Sequence, residues 1–230
     1  MNSIKKTSAC TGLDVPVQLS EALEAIIESC DLIQERQPLY LQGDACEHIY
    51  AIQRGALKSV WEDGEKSSLV YFFYPGDFVG LECFSAGEYR TSLIAIEETS
   101  VCKISMEKLM KQPGMLALQM FFLGRMHQQI VGMQANAICR TSSANVRVAA
   151  HLLEVRKQTQ RNSQDGIEFP LPMPRSEISN FLGLRKETLS RVLNKFQRSG
   201  WIRLAGGHVQ LLNPKALGTA ATPVLQAQRR

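Results

Sequence analysis

Apolar residues change their spacing along these 230 residues, and each spacing admits a different kind of element. From Leu39 to Ile104 they come in short runs: Leu39-Tyr40-Leu41, Ile49 to Ile52, Leu57 to Trp61, Leu69 to Tyr74, Phe78-Val79, Leu93 to Ile96 and Val101 to Ile104. Gln42-Gly43-Asp44, Arg54-Gly55, Glu62-Asp63-Gly64 and Pro75-Gly76-Asp77 lie between them. Short strands between turn residues predict an antiparallel sandwich or barrel. A helix is expected ahead of them from Ser20 to Cys30, with Ser20 as N-cap and Leu23, Ile26 and Ile27 as its apolar stripe.

The spacing then lengthens. From about Gly114 to Ile138 no proline occurs, and Leu116, Leu123, Met126, Ile130, Met133 and Ala137 recur mostly at steps of three and four. That is the seam of a coiled coil, interrupted at Gln119. Phe121 and Phe122 lie off the seam and give the helix a second apolar face. One face can pack within the chain while Leu123, Met126, Ile130, Met133 and Ala137 meet a second copy, so a dimerisation helix is expected.

The last zone, Ser142 to Pro214, opens with a helix over roughly Asn145 to Gln158. A polar patch from Thr159 to Gly166 follows, then the run Ile167 to Pro174. Prolines at 170, 172 and 174 confine that run to an edge strand. Next, Arg175 to Leu182 reads as a short helix burying Ile178, Phe181 and Leu182. Gly183 supplies the left-handed residue of a tight corner. A second helix, about Lys186 to Arg198, buries Leu189, Val192, Leu193 and Phe196, and its other face is polar and basic. Trp201 to Leu204 and His208 to Leu212 flank Gly206-Gly207 as a two-stranded wing. This pattern predicts a winged helix-turn-helix with a recognition helix.

Charge separates the two halves. Through Cys139 there are 11 Lys+Arg against 17 Asp+Glu, a net of −6; from Arg140 onward there are 15 against 5, a net of +10, and together they give the chain's +4. A basic half on an acidic one points to a polyanionic partner, here double-stranded DNA. No apolar run approaches the roughly 18 residues of a membrane span, and no apolar stretch follows Lys5 and Lys6, so a cytoplasmic protein is expected. Cys10, Cys30, Cys46, Cys83, Cys102 and Cys139 lie 16 or more positions apart, without the close spacing of a zinc or iron–sulfur site, so free buried thiols and no metal are expected. The four histidines, His48, His127, His151 and His208, are scattered, with no Cys/Asp constellation or phosphate-cradling glycine loop beside them. No catalytic residue is assigned and an enzyme is not expected.

The chain resembles the cyclic-AMP-receptor/fumarate-nitrate-reduction (Crp/Fnr) class of bacterial transcription regulators from about Leu19 to Asn213. The resemblance rests on Ile49-Tyr-Ala-Ile-Gln-Arg-Gly55, Pro75-Gly-Asp-Phe-Val-Gly80, Glu187-Thr-Leu-Ser-Arg191 and Phe196-Gln-Arg-Ser-Gly200, and it leans to the Fnr branch. It implies an α+β chain: a β-roll sensor domain like that of cyclic-nucleotide-binding proteins with its N-terminal helix (1–112), a dimerisation helix (113–140), a winged helix-turn-helix (141–215) and a flexible tail (216–230). It also implies a homodimer acting on RNA polymerase at promoters. DNA contacts are expected from Arg175, Ser176, Arg185, Lys186, Glu187, Thr188, Ser190, Arg191, Asn194 and Lys195. Glu-x-x-Ser-Arg fits the Fnr-type half-site TTGAT, whereas the cyclic-AMP branch carries glycine at the Ser190 position and prefers TGTGA.

The resemblance bears on the signal as well. Family cyclic-nucleotide sites place a glutamate directly after a glycine and an arginine beside Ser or Thr. Arg90-Thr91 supplies the second half, but the first reads Gly80-Leu81-Glu82, and one step along a helical turn rotates the carboxylate by roughly 100°. Gly80, Glu82, Arg90 and Thr91 are therefore the candidate effector pocket of an alternative reading, a cyclic-nucleotide-responsive regulator or signalling module. Oxygen sensors of the family ligate a four-iron cluster with four thiolates. Cys10 and Cys102 fall at two of those places and are the candidate redox thiols; two thiolates do not complete the set, so no cofactor is expected.

Overall fold

The computed structural model describes residues 13, 15–159 and 168–227. These form two compact units that divide at Gln128/Gln129. The first opens with α1 (Val17–Ile26), which leads directly into β1 (Ile27–Ile33). The helix expected over Ser20 to Cys30 is thus shifted and cut short. Its N-cap is Pro16, and the Ser20 hydroxyl donates back to the Pro16 carbonyl from inside the helix. From Ile27 the chain pairs antiparallel with β8 (Thr99–Ser105), and that ladder overrides the helical spacing of Ile26 and Ile27.

The strands β2 (Pro38–Tyr40), β3 (His48–Arg54), β4 (Leu57–Glu62), β5 (Ser67–Phe73), β6 (Phe78–Val79) and β7 (Ser92–Ala95) complete two four-stranded antiparallel sheets, ordered β1-β8-β3-β6 and β2-β7-β4-β5. Alternation along β3 divides its side chains between two cores. Tyr50 and Ile52 join Leu57, Phe73, Leu93 and Val101 between the sheets. Ile49 and Ala51 point the other way, with Phe78, Cys102 and Ile104, toward the helices. Those helices are α1, α2 (Met106–Lys111) and the start of α3 (Leu116–Arg140), which contribute Leu23, Ile26, Leu109, Leu118 and Phe122. The second apolar face expected of the long helix is this contact. Phe122 and Phe121 meet Phe78 edge-on, and the guanidinium of Arg125 lies over the Phe78 and Phe121 rings at 5.6 and 5.0 Å.

The second unit contains α4 (Ala144–Thr159), β9 (Glu168–Pro170), α5 (Arg175–Phe181), α6 (Lys186–Arg198), β10 (Ile202–Ala205), β11 (His208–Leu211) and α7 (Pro214–Ala227). As its prolines require, β9 is an edge strand, in a sheet ordered β10-β11-β9. The tail expected to be flexible is instead helical through Ala227. Asn213 Oδ1 accepts from the Ala216 N–H at 3.0 Å, Pro214 takes the first helical position, and Leu217 and Ala221 are buried where α7 packs on α4.

Four cysteines are not free thiols. Cys30 and Cys102, directly opposite one another in β1 and β8, are disulfide-bonded, and Cys46 is bonded to Cys83. Linear gaps of 72 and 37 residues conceal pairings that the sheet creates. Cys139 is free and buried, and Cys10 lies outside the described residues. Alkylation of the unfolded, unreduced protein should leave Cys30, Cys46, Cys83 and Cys102 unlabelled, and reductant should expose all four. Full labelling without reductant, read by peptide mass spectrometry, would contradict the pairing.

His151 on α4 is buried beside the Phe181 ring, and burial holds its pKa down to about 4. The unfolded chain takes up this proton near pH 6.5, the folded unit only near 4. The stability held above pH 6.5 is therefore lost as pH falls toward 4, by up to about 3 kcal/mol. Urea denaturation of wild type and His151→Phe between pH 7.5 and 4.5 should show this extra loss in wild type alone; parallel curves would contradict it.

Candidate nucleic-acid interface

Two glycine-ended helices build the corner and the exit of the helix-turn-helix. At the end of α5, Gly183 has φ +62°, its N–H donates to the Asn180 carbonyl, and the Leu184 N–H donates to the Ser179 carbonyl. At the end of α6, Gly200 has φ +68°, its N–H donates to the Gln197 carbonyl, and the Trp201 N–H donates to the Phe196 carbonyl. Both are Schellman closures, in which a left-handed glycine satisfies the helix's last carbonyls. The second carries the usual apolar contact, the Trp201 ring stacking on Phe196 at 5.0 Å between centroids. The wing β10–β11 follows in full register, Ile202 opposite Leu211 and Ala205 opposite His208, around Gly206-Gly207.

On α6, Leu189, Val192, Leu193 and Phe196 are buried, as expected from the sequence. Lys186, Glu187, Arg191, Asn194 and Lys195 are exposed, with Ser190 half-buried among them. Glu187, Ser190, Arg191 and Asn194 line one shallow concavity with Lys195 and Arg198. Ser176, Asn180, Arg185, Lys186 and Glu187 line a second, so Glu187 belongs to both. Thr188 is half-buried, and its hydroxyl accepts from Arg191 Nη2 at 3.4 Å, steadying the guanidinium from one turn back. Arg185 at the N-cap makes no side-chain cap. Arg175 is exposed at the start of α5, outside both concavities. Nine of the ten expected contact residues thus line one of the two concavities or, as Thr188 does, brace Arg191.

One residue that sequence reasoning passed over belongs to this corner. Arg147, on the first turn of α4, donates from Nε to the Ser142 carbonyl at 2.8 Å and from Nη1 to the Leu182 and Gly183 carbonyls at 3.0 and 3.3 Å. These three acceptors are main-chain atoms, which leave no residue-type signal in a sequence.

Along α3, Leu123 (54% exposed), Ile130 (52%), Met133 and Ala137 are uncovered, together with Leu116, Met120 and Ile138. Met126, expected on this seam, is half-buried against the core beneath the first sheet. It stands one turn after Phe122 on the covered face, and the exposed His127 takes its place in the stripe.

In the first unit the four candidate effector residues are dispersed into other contacts. Gly80 is left-handed at φ +77°, and a Cβ there would stand 2.8 Å from the His48 carbonyl. Arg90 extends into solvent 3.5 Å from Glu88, and the Thr91 hydroxyl accepts from Ser59 at 2.7 Å. Tyr40 and Tyr89 stack at 3.7 Å between the sheets, and the Tyr89 hydroxyl donates to the His48 carbonyl at 2.7 Å. Burial, and then the charge of Glu82, push the Tyr40 phenol well above its ordinary range. A four-thiolate cluster does not fit the described residues, because Cys102 is bonded to Cys30. Among the described residues no helix is long and apolar enough to cross a membrane.

Residues 146–220 match the Crp-like helix-turn-helix domain, and residues 32–112 match the cyclic nucleotide-binding domain. The chain is 32% identical to the fumarate and nitrate reduction regulatory protein of Salmonella typhi over 217 residues, 91% of this chain and 86% of that one. It is 31% identical to the transcriptional activator protein Anr of Pseudomonas protegens over 213 residues, covering 89% and 85% of the two chains. Among solved structures, FixK2 from Bradyrhizobium japonicum is similar with a TM-score of 0.73 at 25% identity, over 83% of this chain and 96% of that one. A helix-turn-helix of this geometry, following a β-roll and a long helix along the chain, with relatives of similar length at 32% and 31% identity, makes the chain a member of the Crp/Fnr family of DNA-binding transcription regulators.

Proposed function

We propose that this chain acts in the cytoplasm as a homodimer that reads an inverted repeat of TTGAT-type half-sites and acts on RNA polymerase, as an activator, at the promoters that carry it. The observation that carries the reading is the polar strip Glu187, Ser190, Arg191 and Asn194 along one concavity on α6. Each residue type suits a base edge. Arg191 is a bidentate donor to guanine O6 and N7, Glu187 an acceptor for cytosine N4, and Ser190 is small enough for the backbone to approach a thymine. Arg175, Ser176, Arg185, Lys186 and Lys195 supply phosphate contacts around it. Two half-sites require two α6 helices, and the uncovered stripe Leu123, Ile130, Met133 and Ala137 on α3 supports self-association. Burying each of its three large side chains contributes roughly 1.5–3 kcal/mol. Activation is the role named for two relatives of similar length, FnrA of Stutzerimonas stutzeri and Anr.

Anisotropy titrations with palindromic TTGAT, TGTGA and scrambled duplexes test base reading. Arg191→Ala should lose about 1–3 kcal/mol on TTGAT and relax preference at the guanine. Lys195→Ala should weaken all three duplexes alike and reduce the salt slope by about 1. An Arg191→Ala protein that keeps both affinity and preference for TTGAT removes α6 as the reader. Transcription by purified bacterial RNA polymerase from a TTGAT promoter should rise when the protein is added; no change, or a fall, contradicts activation.

Self-association is checked by sedimentation. Wild type should be a dimer at micromolar concentration, and Ile130→Asp, which sets like charges against each other across a two-fold seam, should be a monomer. A monomeric wild type contradicts the stripe as a dimer interface.

A further inference from the structure

The turn between α5 and α6 is closed locally by its own main-chain bonds, yet those bonds fix only the corner. They do not set how the corner lies on α4, the helix that α6 packs against. Apolar contact is non-directional and leaves a helix free to slide or roll by small amounts. A planar guanidinium with fixed donor directions does not.

Arg147 places such a group at this point. It is half-buried on the first turn of α4, and its Nη1 reaches both carbonyls at the corner, those of Leu182 and Gly183. Its Nε holds the carbonyl of Ser142, in the three residues that join the end of α3 to α4. A second guanidinium approaches the same turn, since a Cβ built on Gly183 would lie 3.5 Å from Nε of Arg140, the last residue of α3, and 3.5 Å from Nη1 of Arg147. Burial pushes the Cys139 thiol up, and the nearby charge of Arg147 partly offsets that rise. The end of α3, the linker, the start of α4 and the corner thus converge on one side chain.

We infer that Arg147 is a positioning residue for DNA recognition: by tying the Leu182–Gly183 corner to the Ser142 linker, it sets the angle at which α6 presents Glu187, Ser190 and Arg191 to the bases. Base hydrogen bonds tolerate errors of only about 0.5 Å and 10–20°, whereas attraction to phosphates is long-ranged and forgiving. Loosening the clamp should therefore erase sequence preference and spare non-specific binding. This inference rests on α6 being the reading element.

The test uses Arg147→Lys in the full-length protein, which keeps the charge and gives up the fork. The probes are duplexes enriched from a random pool by the wild-type protein, and a scrambled duplex. Arg147→Lys should bind the enriched duplex at least tenfold more weakly than wild type. Its affinity for the scrambled duplex and the salt slope of that binding should be unchanged, with a thermal midpoint within a few degrees of wild type. Undiminished selectivity in Arg147→Lys overturns the inference. So does an equal loss on both duplexes, the mark of a lost phosphate contact or a partly unfolded domain. A second measurement needs no variant: the Arg147 Nε–H of the wild type should give a resolved, slowly exchanging proton resonance at pH 7, and its absence refutes the clamp. Enrichment of no sequence by the wild type overturns α6 as the reader, and this inference with it.

Discussion

Burial of Leu189, Val192, Leu193 and Phe196 decides the character of the DNA-binding unit. Those four side chains occupy one face of α6, so the opposite face must meet solvent or a partner. That face carries Lys186, Glu187, Arg191, Asn194 and Lys195. The orientation of the polar face is thus fixed by the hydrophobic effect acting on the four buried side chains opposite it. Gly183 and Gly200 then end the two helices where they must, because only a left-handed residue returns the chain so abruptly while satisfying the last carbonyls.

The N-terminal unit follows a different logic. The central strand β3 is buried on both faces, giving Ile49 and Ala51 to one core and Tyr50 and Ile52 to the other. A strand so placed locks two sheets and the helices beneath them into one body. Between the sheets Tyr40 stacks on Tyr89, with Tyr50 tilted against Tyr40 at 5.9 Å. The domain keeps the outline of a nucleotide-binding roll while Arg90 and Thr91 are engaged by Glu88 and Ser59.

What could be read from the sequence follows from how local each cause is. The pattern of α6 lies within thirteen contiguous residues and was legible down to its buried positions. The corner needs one glycine and was legible too, although Phe181, expected to be buried with Ile178 and Leu182, is half-buried. The strands of the roll were legible because glycine and proline turns punctuate them. Where a distant partner decides, the sequence was silent. Ile27 to Ile33 leave the helical pattern because β8 offers a ladder. Met126 turns toward the roll because Phe122 already faces it, a one-position drift that a strict heptad does not register. The disulfides join cysteines 72 and 37 residues apart, and Arg147 grips carbonyls 35 and 36 residues away. The helical tail is a different case, since Asn213-Pro214 is a helix start that the small residues after it obscured.

The uncovered apolar stripe on α3 has a quantitative consequence for control. When a dimer is the form that occupies DNA, the population of that form below its dissociation constant rises with the square of the chain concentration, by mass action. A twofold change in protein level then becomes a fourfold change in the species that binds. A chain acting in this way would respond to its own synthesis and turnover more steeply than a monomer would.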